Sequence, residues 1–205
     1  MLSDALRAVS SALQTPVIAV LLLLMAAALF MLGSLAVEAF TERARLRVRL
    51  PELVDALREG GATEAVIEGS GLLRRQKLAL LELTRHPALT PAMRESLAVR
   101  LVAEERARYE GIVRVTDLIA RLGPMFGLLG TLIPLGPGII ALGRGDTYTL
   151  SLSLLTAFDT TIAGLVAAAV AFVISTVRKR WYASYMASLE MAMECVLEAE
   201  NEKAV

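Results

Sequence analysis

Two long apolar runs decide the fold of this chain: LGPMFGLLGTLIPLGPGIIALG at residues 122–143 and TLSLSLLTAFDTTIAGLVAAAVAFVISTV at residues 149–177. A helix of about 20 apolar residues crosses the hydrocarbon core of a bilayer, so each run is long enough to span it. Each run carries a polar cluster near its centre, Gly130-Thr131 in the first and Asp159-Thr160-Thr161 in the second. We expect these clusters to meet near the middle of a membrane.

A third apolar run lies near the N-terminus, where no charged residue occurs between Arg7 and Glu38. Four arginines follow it at alternate positions from Arg43 to Arg49. A signal peptide would have a shorter apolar core and no basic stop-transfer cluster behind it, so the pattern favours a retained anchor. Because basic residues accumulate on the cytoplasmic side of a membrane, the C-terminal end of this helix is predicted to face the cytoplasm.

The composition agrees with an integral membrane protein and excludes several function classes. Of the 205 residues 56% are hydrophobic, and 21 basic residues balance 21 acidic ones. Nucleic-acid binding needs a clustered basic surplus, so no nucleic-acid partner is expected. With one cysteine and one histidine the chain offers no intrachain disulfide, no metal site and no nucleophile-base pair, so we expect no cofactor and no enzyme. Cys195 is interpreted as a small, half-buried hydrophobic residue, and His86 as a residue at a helix end.

Between the first two apolar runs the chain is charged and helical in pattern. Thr90-Pro91 supplies a helix N-cap and a favoured first-turn proline, and no strong breaker follows until Gly123-Pro124. The pattern therefore predicts one long helix that begins in the cytoplasm and continues into the second span.

Past the third span, Trp181 and Tyr182 are predicted to anchor the headgroup layer. The predicted segments are an extracytoplasmic N-terminus at 1–14, transmembrane helices at 15–39, 115–143 and 149–177, a cytoplasmic helical segment at 40–114, an extracytoplasmic loop at 144–148, and a cytoplasmic amphipathic helix at 178–205.

The third span has one face made only of small residues, at spacings of three and four: Thr149, Ser153, Thr156, Thr160, Gly164, Ala167, Ala171 and Ser175. This small-residue face fits a helix-packing seam and a pore lining equally well. Asp159 lies about 100° to one side of it. A charged residue at the bilayer centre costs about 2.5 to 3.5 kcal/mol unless it is solvated, paired or protonated. Asp159 is therefore either a residue near an ion path or a hydrogen-bonded packing residue.

Two motifs resemble those of a known family. The stretch GPMFGLLGT at 123–131 looks like the signature that opens the second span of ExbB/TolQ/MotA proton-channel subunits, and AFDTTIAGL at 157–165 resembles their third-span motif. The resemblance implies an all-α, polytopic protein with three transmembrane helices that forms a ring, usually of five copies. It also implies a single-span membrane partner of the ExbD/TolR/MotB type, in the plasma (inner) membrane, with the N-terminus outside and the C-terminus cytoplasmic.

The resemblance carries over to individual residues. Thr131 and Thr161 match the two membrane threonines that line the ion path in that family, and Asp159 and Thr160 lie beside them. Thr156 stands where ExbB-like members have a glutamate, and Asp159 stands where an apolar residue is common. Close helix packing is predicted at a set of small or helix-bending residues, Pro124, Gly127, Gly130 and Gly164.

Two functions follow from these observations. The first is a ring-forming subunit of a proton- or cation-driven membrane motor that couples ion flow to mechanical work with its partner. The second is a non-conducting membrane scaffold that oligomerises through the small-residue face and docks cytoplasmic partners. The polar clusters at one depth motivate the first, and the small-residue face from Thr149 to Ser175 motivates the second.

Overall fold

The computed structural model describes residues 2–41, 55, 64–86 and 89–203, and its helices are α1 (Leu2–Thr41), α2 (Glu64–Gly69), α3 (Arg74–Thr84), α4 (Pro91–Gly143) and α5 (Thr147–Lys203). Within those ranges all regular structure is helical, as predicted. Three helices are long and apolar enough to cross a membrane, within Ala12–Thr41, Pro91–Gly143 and Thr147–Ala199. The all-α class and the three membrane helices are confirmed. The arginines between Arg43 and Arg49 lie outside the described residues.

The long helix predicted to enter the second span is also confirmed. It begins where Thr90 caps it, with the Met93 backbone N–H donating to Thr90 Oγ1 at 3.4 Å, and it continues without a break to Gly143. Three prolines lie inside it, Pro124, Pro134 and Pro137. Proline removes one helix hydrogen bond, and a membrane helix tolerates that loss when neighbouring groups satisfy the freed carbonyl.

A tight turn joins α4 to α5. Gly145 has a φ of 77°, in the left-handed region that glycine adopts without strain. Asp146 then caps α5, because its Oδ1 accepts the Thr149 backbone N–H at 3.0 Å and its Oδ2 accepts the Thr149 hydroxyl at 2.5 Å. The Thr149 side-chain and backbone hydrogen bonds lower the pKa of Asp146 below the ordinary value of 3.8.

The chain divides into two compact units. The membrane unit contains residues 2–35 and Val113–Val177. Its core brings together α1, α4 and α5 through a set of buried small and aliphatic residues: Leu24, Ala28, Ile119, Ala167 and Ala171. Large apolar side chains on the outer faces stay exposed, among them Phe30, Leu132 and Phe172. A surface of this kind suits lipid rather than water.

The polar unit contains the described residues of Ala36–Ile112 and residues 178–203. Its core contains Leu80, Leu83, Leu189 and Val196, each at most 1% exposed. Cys195 packs against this core at intermediate exposure, so its interpretation as a half-buried hydrophobic residue is confirmed.

A buried ion pair also lies in the polar unit, between the end of α1 and the third span's basic cluster. Arg178 Nε donates to Glu38 Oε2 at 3.2 Å, and the two side chains are 6% and 14% exposed. The Tyr182 hydroxyl donates to the same oxygen at 3.4 Å. Tyr182 is only 6% exposed and stacks with Tyr109 at a ring separation of 4.4 Å. The prediction that Tyr182 anchors the headgroup layer is therefore wrong: the side chain packs inside the polar unit.

Candidate ion path

The membrane unit is organised by an antiparallel seam between α4 and α5. Glycines on α4 approach the backbone of α5 so closely that a side chain would collide. A methyl group on Gly130 would lie 2.5 Å from Thr160 Cβ, and one on Gly123 would lie 2.6 Å from the Gly164 carbonyl oxygen. Further along, a methyl group on Gly138 would lie 3.0 Å from Ser153 Cβ. These contacts fix the register of the two helices.

The small-residue face of the third span forms this seam. Thr160, Ala167, Ala171 and Ser175 are all buried, at 7% exposure or less. Of the two interpretations that the sequence left open, the packing seam is the one that this face takes within the chain. The buried part of the face is thus occupied by α4 and α1 of the same molecule, and the scaffold alternative was expected to use this face for contacts between copies.

The residues predicted to pack helices fall into two groups. Gly127, Gly130 and Gly164 lie in the seam, and a methyl group on Gly164 would meet the Gly123 carbonyl oxygen and Gly127 Cα. Pro124 is exposed on α4 and is not part of this seam. Its packing role stays a prediction.

The two candidate ion-path threonines lie at the same crossing. Thr131 follows Gly130, which meets Thr160, and the Thr161 Cα would be 3.6 Å from a methyl group on Gly127, one turn before Thr131. The Thr131 hydroxyl donates to the Leu128 carbonyl at 2.7 Å, and the Thr161 hydroxyl donates to the Ala157 carbonyl at 2.9 Å. A threonine whose single hydrogen is used in this way presents only lone pairs to its surroundings. Both oxygens can therefore accept hydrogen bonds from water or a hydrated cation.

Helix α1 packs on the other flank of the seam. Phe126 on α4 and Val170 on α5 pack against the core cluster that contains Leu24 and Ala28 of α1. At about 100° per residue, Thr131 lies about 140° around α4 from Phe126, and Thr161 lies about 180° around α5 from Val170. The two threonines thus lie on the side of the crossing away from Phe126 and Val170, and we call this side the threonine flank.

The other two candidate residues lie elsewhere. Thr160 is in the seam itself, and its hydroxyl donates to the carbonyls of Ala157 at 2.9 Å and Thr156 at 3.0 Å. Asp159 is exposed, and the exposed residues Leu155, Phe158 and Ile162 beside it are apolar. On α5 it lies about 20° from Val170 and about 160° from Thr161. The structure therefore brings Thr131 and Thr161 together and puts Asp159 on the opposite side of the helix.

One polar contact of the seam was missed by the sequence interpretation. The Ser175 hydroxyl donates to Asp117 Oδ1 and joins α5 to α4. Ser175 is 2% exposed, and Thr116, beside Asp117, is fully buried. Asp117 falls inside the predicted helix 115–143, ahead of the uncharged run that begins at Leu122, and was not singled out. Asp117 lies fourteen residues before Thr131, and this spacing puts both residues on almost the same face of the helix. That spacing was the signal in the sequence that could have identified Asp117.

Comparison with known families supports the resemblance. The MotA/TolQ/ExbB proton channel family matches residues 75–191, which is more than half of the chain and includes the whole seam from Asp117 to Ser175. The chain belongs to this family, as the two motifs predicted. No individual curated protein sequence matches it.

Proposed function

We propose that this chain is the ring-forming subunit of a proton- or cation-driven motor, and that it works with a single-span membrane partner. The observation that carries the proposal is the pair Thr131 and Thr161, whose hydroxyl oxygens face one flank at the same crossing of α4 and α5. Membership of a proton channel family supports it. The proposed location is the plasma membrane, with the N-terminus outside and the C-terminus in the cytoplasm.

The proposed mechanism uses the threonine flank as one wall of the ion path. In a ring of several copies, usually five in this family, each copy presents this flank to the partner at the centre. An ion accepted by the two hydroxyl oxygens would neutralise a carboxylate of the partner. One charge crossing a potential of 100 mV releases about 2.3 kcal/mol, enough to bias a step of the ring around the partner. No enzymatic step is part of this proposal.

The scaffold alternative is weaker because its interface is already used. It needs the small-residue face for contacts between copies, but Gly130, Gly164 and their neighbours pack α4 against α5 within one chain. A chain that oligomerises must do so through its other surfaces.

The test is ion flux through the reconstituted complex. The chain, co-purified with its single-span partner, is placed in liposomes that contain a pH-sensitive dye, and a potassium diffusion potential is applied with valinomycin. We expect proton influx, and we expect Thr161→Val to abolish it because the isosteric side chain keeps the packing and removes the acceptor oxygen. Thr176→Val is the matched control, because Thr176 is exposed and its hydroxyl donates to the Phe172 carbonyl at 2.9 Å in the same way. A wild-type complex that conducts neither protons nor sodium would overturn the proposal.

A further inference from the structure

We propose that Asp117, held by Ser175, is a second station on the ion path, at the end of the seam far from the turn between α4 and α5. The observation is the hydrogen bond that the Ser175 hydroxyl donates to Asp117 Oδ1 across the two helices. The inference rests on the proposed function, because a station needs an ion that moves. It assigns a proton-accepting group to this chain itself, in addition to any carboxylate of the partner.

The position of the pair relative to the two threonines supports this role. Asp117 precedes Thr131 by fourteen residues on α4, and Ser175 follows Thr161 by fourteen residues on α5. In an α-helix fourteen residues rise about 21 Å and return to within about 40° of the starting direction. Because the helices are antiparallel, both displacements run the same way along the seam. The threonine flank therefore leads from Thr131 and Thr161 to Asp117 and Ser175.

The seam between the two stations is closed by small residues. Over this length the seam is built from Gly123, Gly127, Gly164 and Ala168, whose contacts are between backbone atoms and single methyl groups. Such residues bring the two helices into direct contact. The charged residue of α4 between the two positions is Arg121, which is exposed. An ion that leaves the threonines meets Asp117 as the next acceptor on the same helix face.

The chemistry of Asp117 suits transient binding. Its carboxylate accepts a hydrogen bond from Ser175, and a carboxylate oxygen is a group that can take up a proton. The exposed cations Arg114 and Arg121 lie three residues before it and four after it on α4, within reach of one turn of the helix. In the proposed step Asp117 accepts the proton that arrives along the flank and then gives it to water, returning to the carboxylate.

A purely structural role would require only that the two helices stay joined. Asp117→Asn separates the two roles, because the amide oxygen still accepts the Ser175 hydrogen bond while the side chain takes no proton. In the liposomes described above we expect Asp117→Asn to lower proton flux about 100-fold, the size typical of losing a positioned proton-transfer group. Asp117→Glu restores part of the flux. Ser175→Ala lowers it about tenfold, by removing a hydrogen bond to a charged group, and Thr176→Val leaves it unchanged.

The outcomes separate this inference from the proposed function. Wild-type flux together with full flux in Asp117→Asn overturns the station and leaves the motor intact. Absence of flux in the wild type overturns both. A loss of flux that Asp117→Glu does not relieve, with a thermal unfolding midpoint lowered equally in Asp117→Asn and Ser175→Ala, shows a structural contact and also overturns the station.

Discussion

The membrane unit and the polar unit are held together by different chemistry. In the membrane unit, α4 and α5 meet through Gly130 and Gly164, and the threonine hydroxyls beside them are bonded within their own helices. In the polar unit, Glu38 and Arg178 form a buried ion pair. The contacts between α4 and α5 at these glycines are thus close packing contacts, whereas the contact between Glu38 and Arg178 is electrostatic. Substitutions in the membrane unit should therefore act through the volume of the side chain, and substitutions in the polar unit through its charge.

The largest effect on stability is expected at the buried Glu38–Arg178 ion pair of the polar unit. Glu38→Gln removes the carboxylate charge that pairs with the buried Arg178 guanidinium, and breaking one partner of a buried pair costs about 3 to 5 kcal/mol. The comparison is with Glu104→Gln, which breaks the exposed Arg100–Glu104 pair at 3.0 Å and should cost about 0.5 kcal/mol or less. Thermal unfolding of the purified protein in detergent measures both. Equal unfolding midpoints for the two variants would show that the buried Glu38–Arg178 pair stabilises the protein no more than the exposed Arg100–Glu104 pair.

The next effect is expected in the seam. Gly164→Ala adds one methyl group against the Gly123 carbonyl and Gly127 Cα, which are backbone atoms that cannot rotate away. Overpacking of this kind costs about 1 to 3 kcal/mol. Gly136→Ala is the matched control, since nothing lies within 4 Å of the added methyl group. We expect Gly136→Ala to be neutral or slightly stabilising in the same unfolding assay, and an equal loss in both variants would argue against the seam.

Asp159 lies on the side of α5 opposite the threonine flank. Substitution of Asp159 therefore tests whether that side takes part in ion conduction. Asp159 lies on the α1 side, about 160° from Thr161. We therefore expect Asp159→Asn to change proton flux by less than about threefold, well below the effect of a positioned proton-transfer group. Flux that disappears in Asp159→Asn and survives in Thr161→Val would move the ion path to the opposite flank.

The smallest effect is expected at the turn before α5. The pKa of Asp146 is lowered by its hydrogen bonds from Thr149, so the folded protein binds this proton less readily than the unfolded chain. The ionised Asp146 cap therefore stabilises the folded protein fully above the ordinary pKa of 3.8, and this stabilisation is lost as the pH falls through the lower pKa of the folded state. Asp146→Ala should lower the unfolding midpoint slightly at pH 7 and much less at pH 2. A shift of the same size at both pH values would contradict this assignment of the cap.

The sequence predicted the elements of the fold better than their pairing. The lengths of the apolar runs and the Thr90 N-cap are local signals. They were sufficient to predict the three membrane helices and the long helix α4. The register that brings Gly130 against Thr160 depends on how two helices pack, and no local pattern encodes it. For the same reason the small-residue face could be read as a seam or as a pore lining.

The candidate site was predicted in part. Thr131 and Thr161 were singled out by depth and by family motif, and these signals do not depend on register. Asp159 attracted attention because a carboxylate within an apolar run is costly, but depth alone does not say which side of a helix it faces. Asp117 was missed because charge density near the second span suggested a solvated segment. Its partner Ser175 is 58 residues away along the chain, and only the packed helices bring the two together.

The most direct test of the account is potential-driven proton flux through the complex that carries both Thr131→Val and Thr161→Val, measured beside Asp159→Asn in the same liposomes. Both changes nearly conserve volume, so the assembled complex should be recovered in equal amounts. The account predicts that the double valine variant loses the flux and that Asp159→Asn retains it. Flux that persists in the double valine variant would contradict an ion path along the threonine flank.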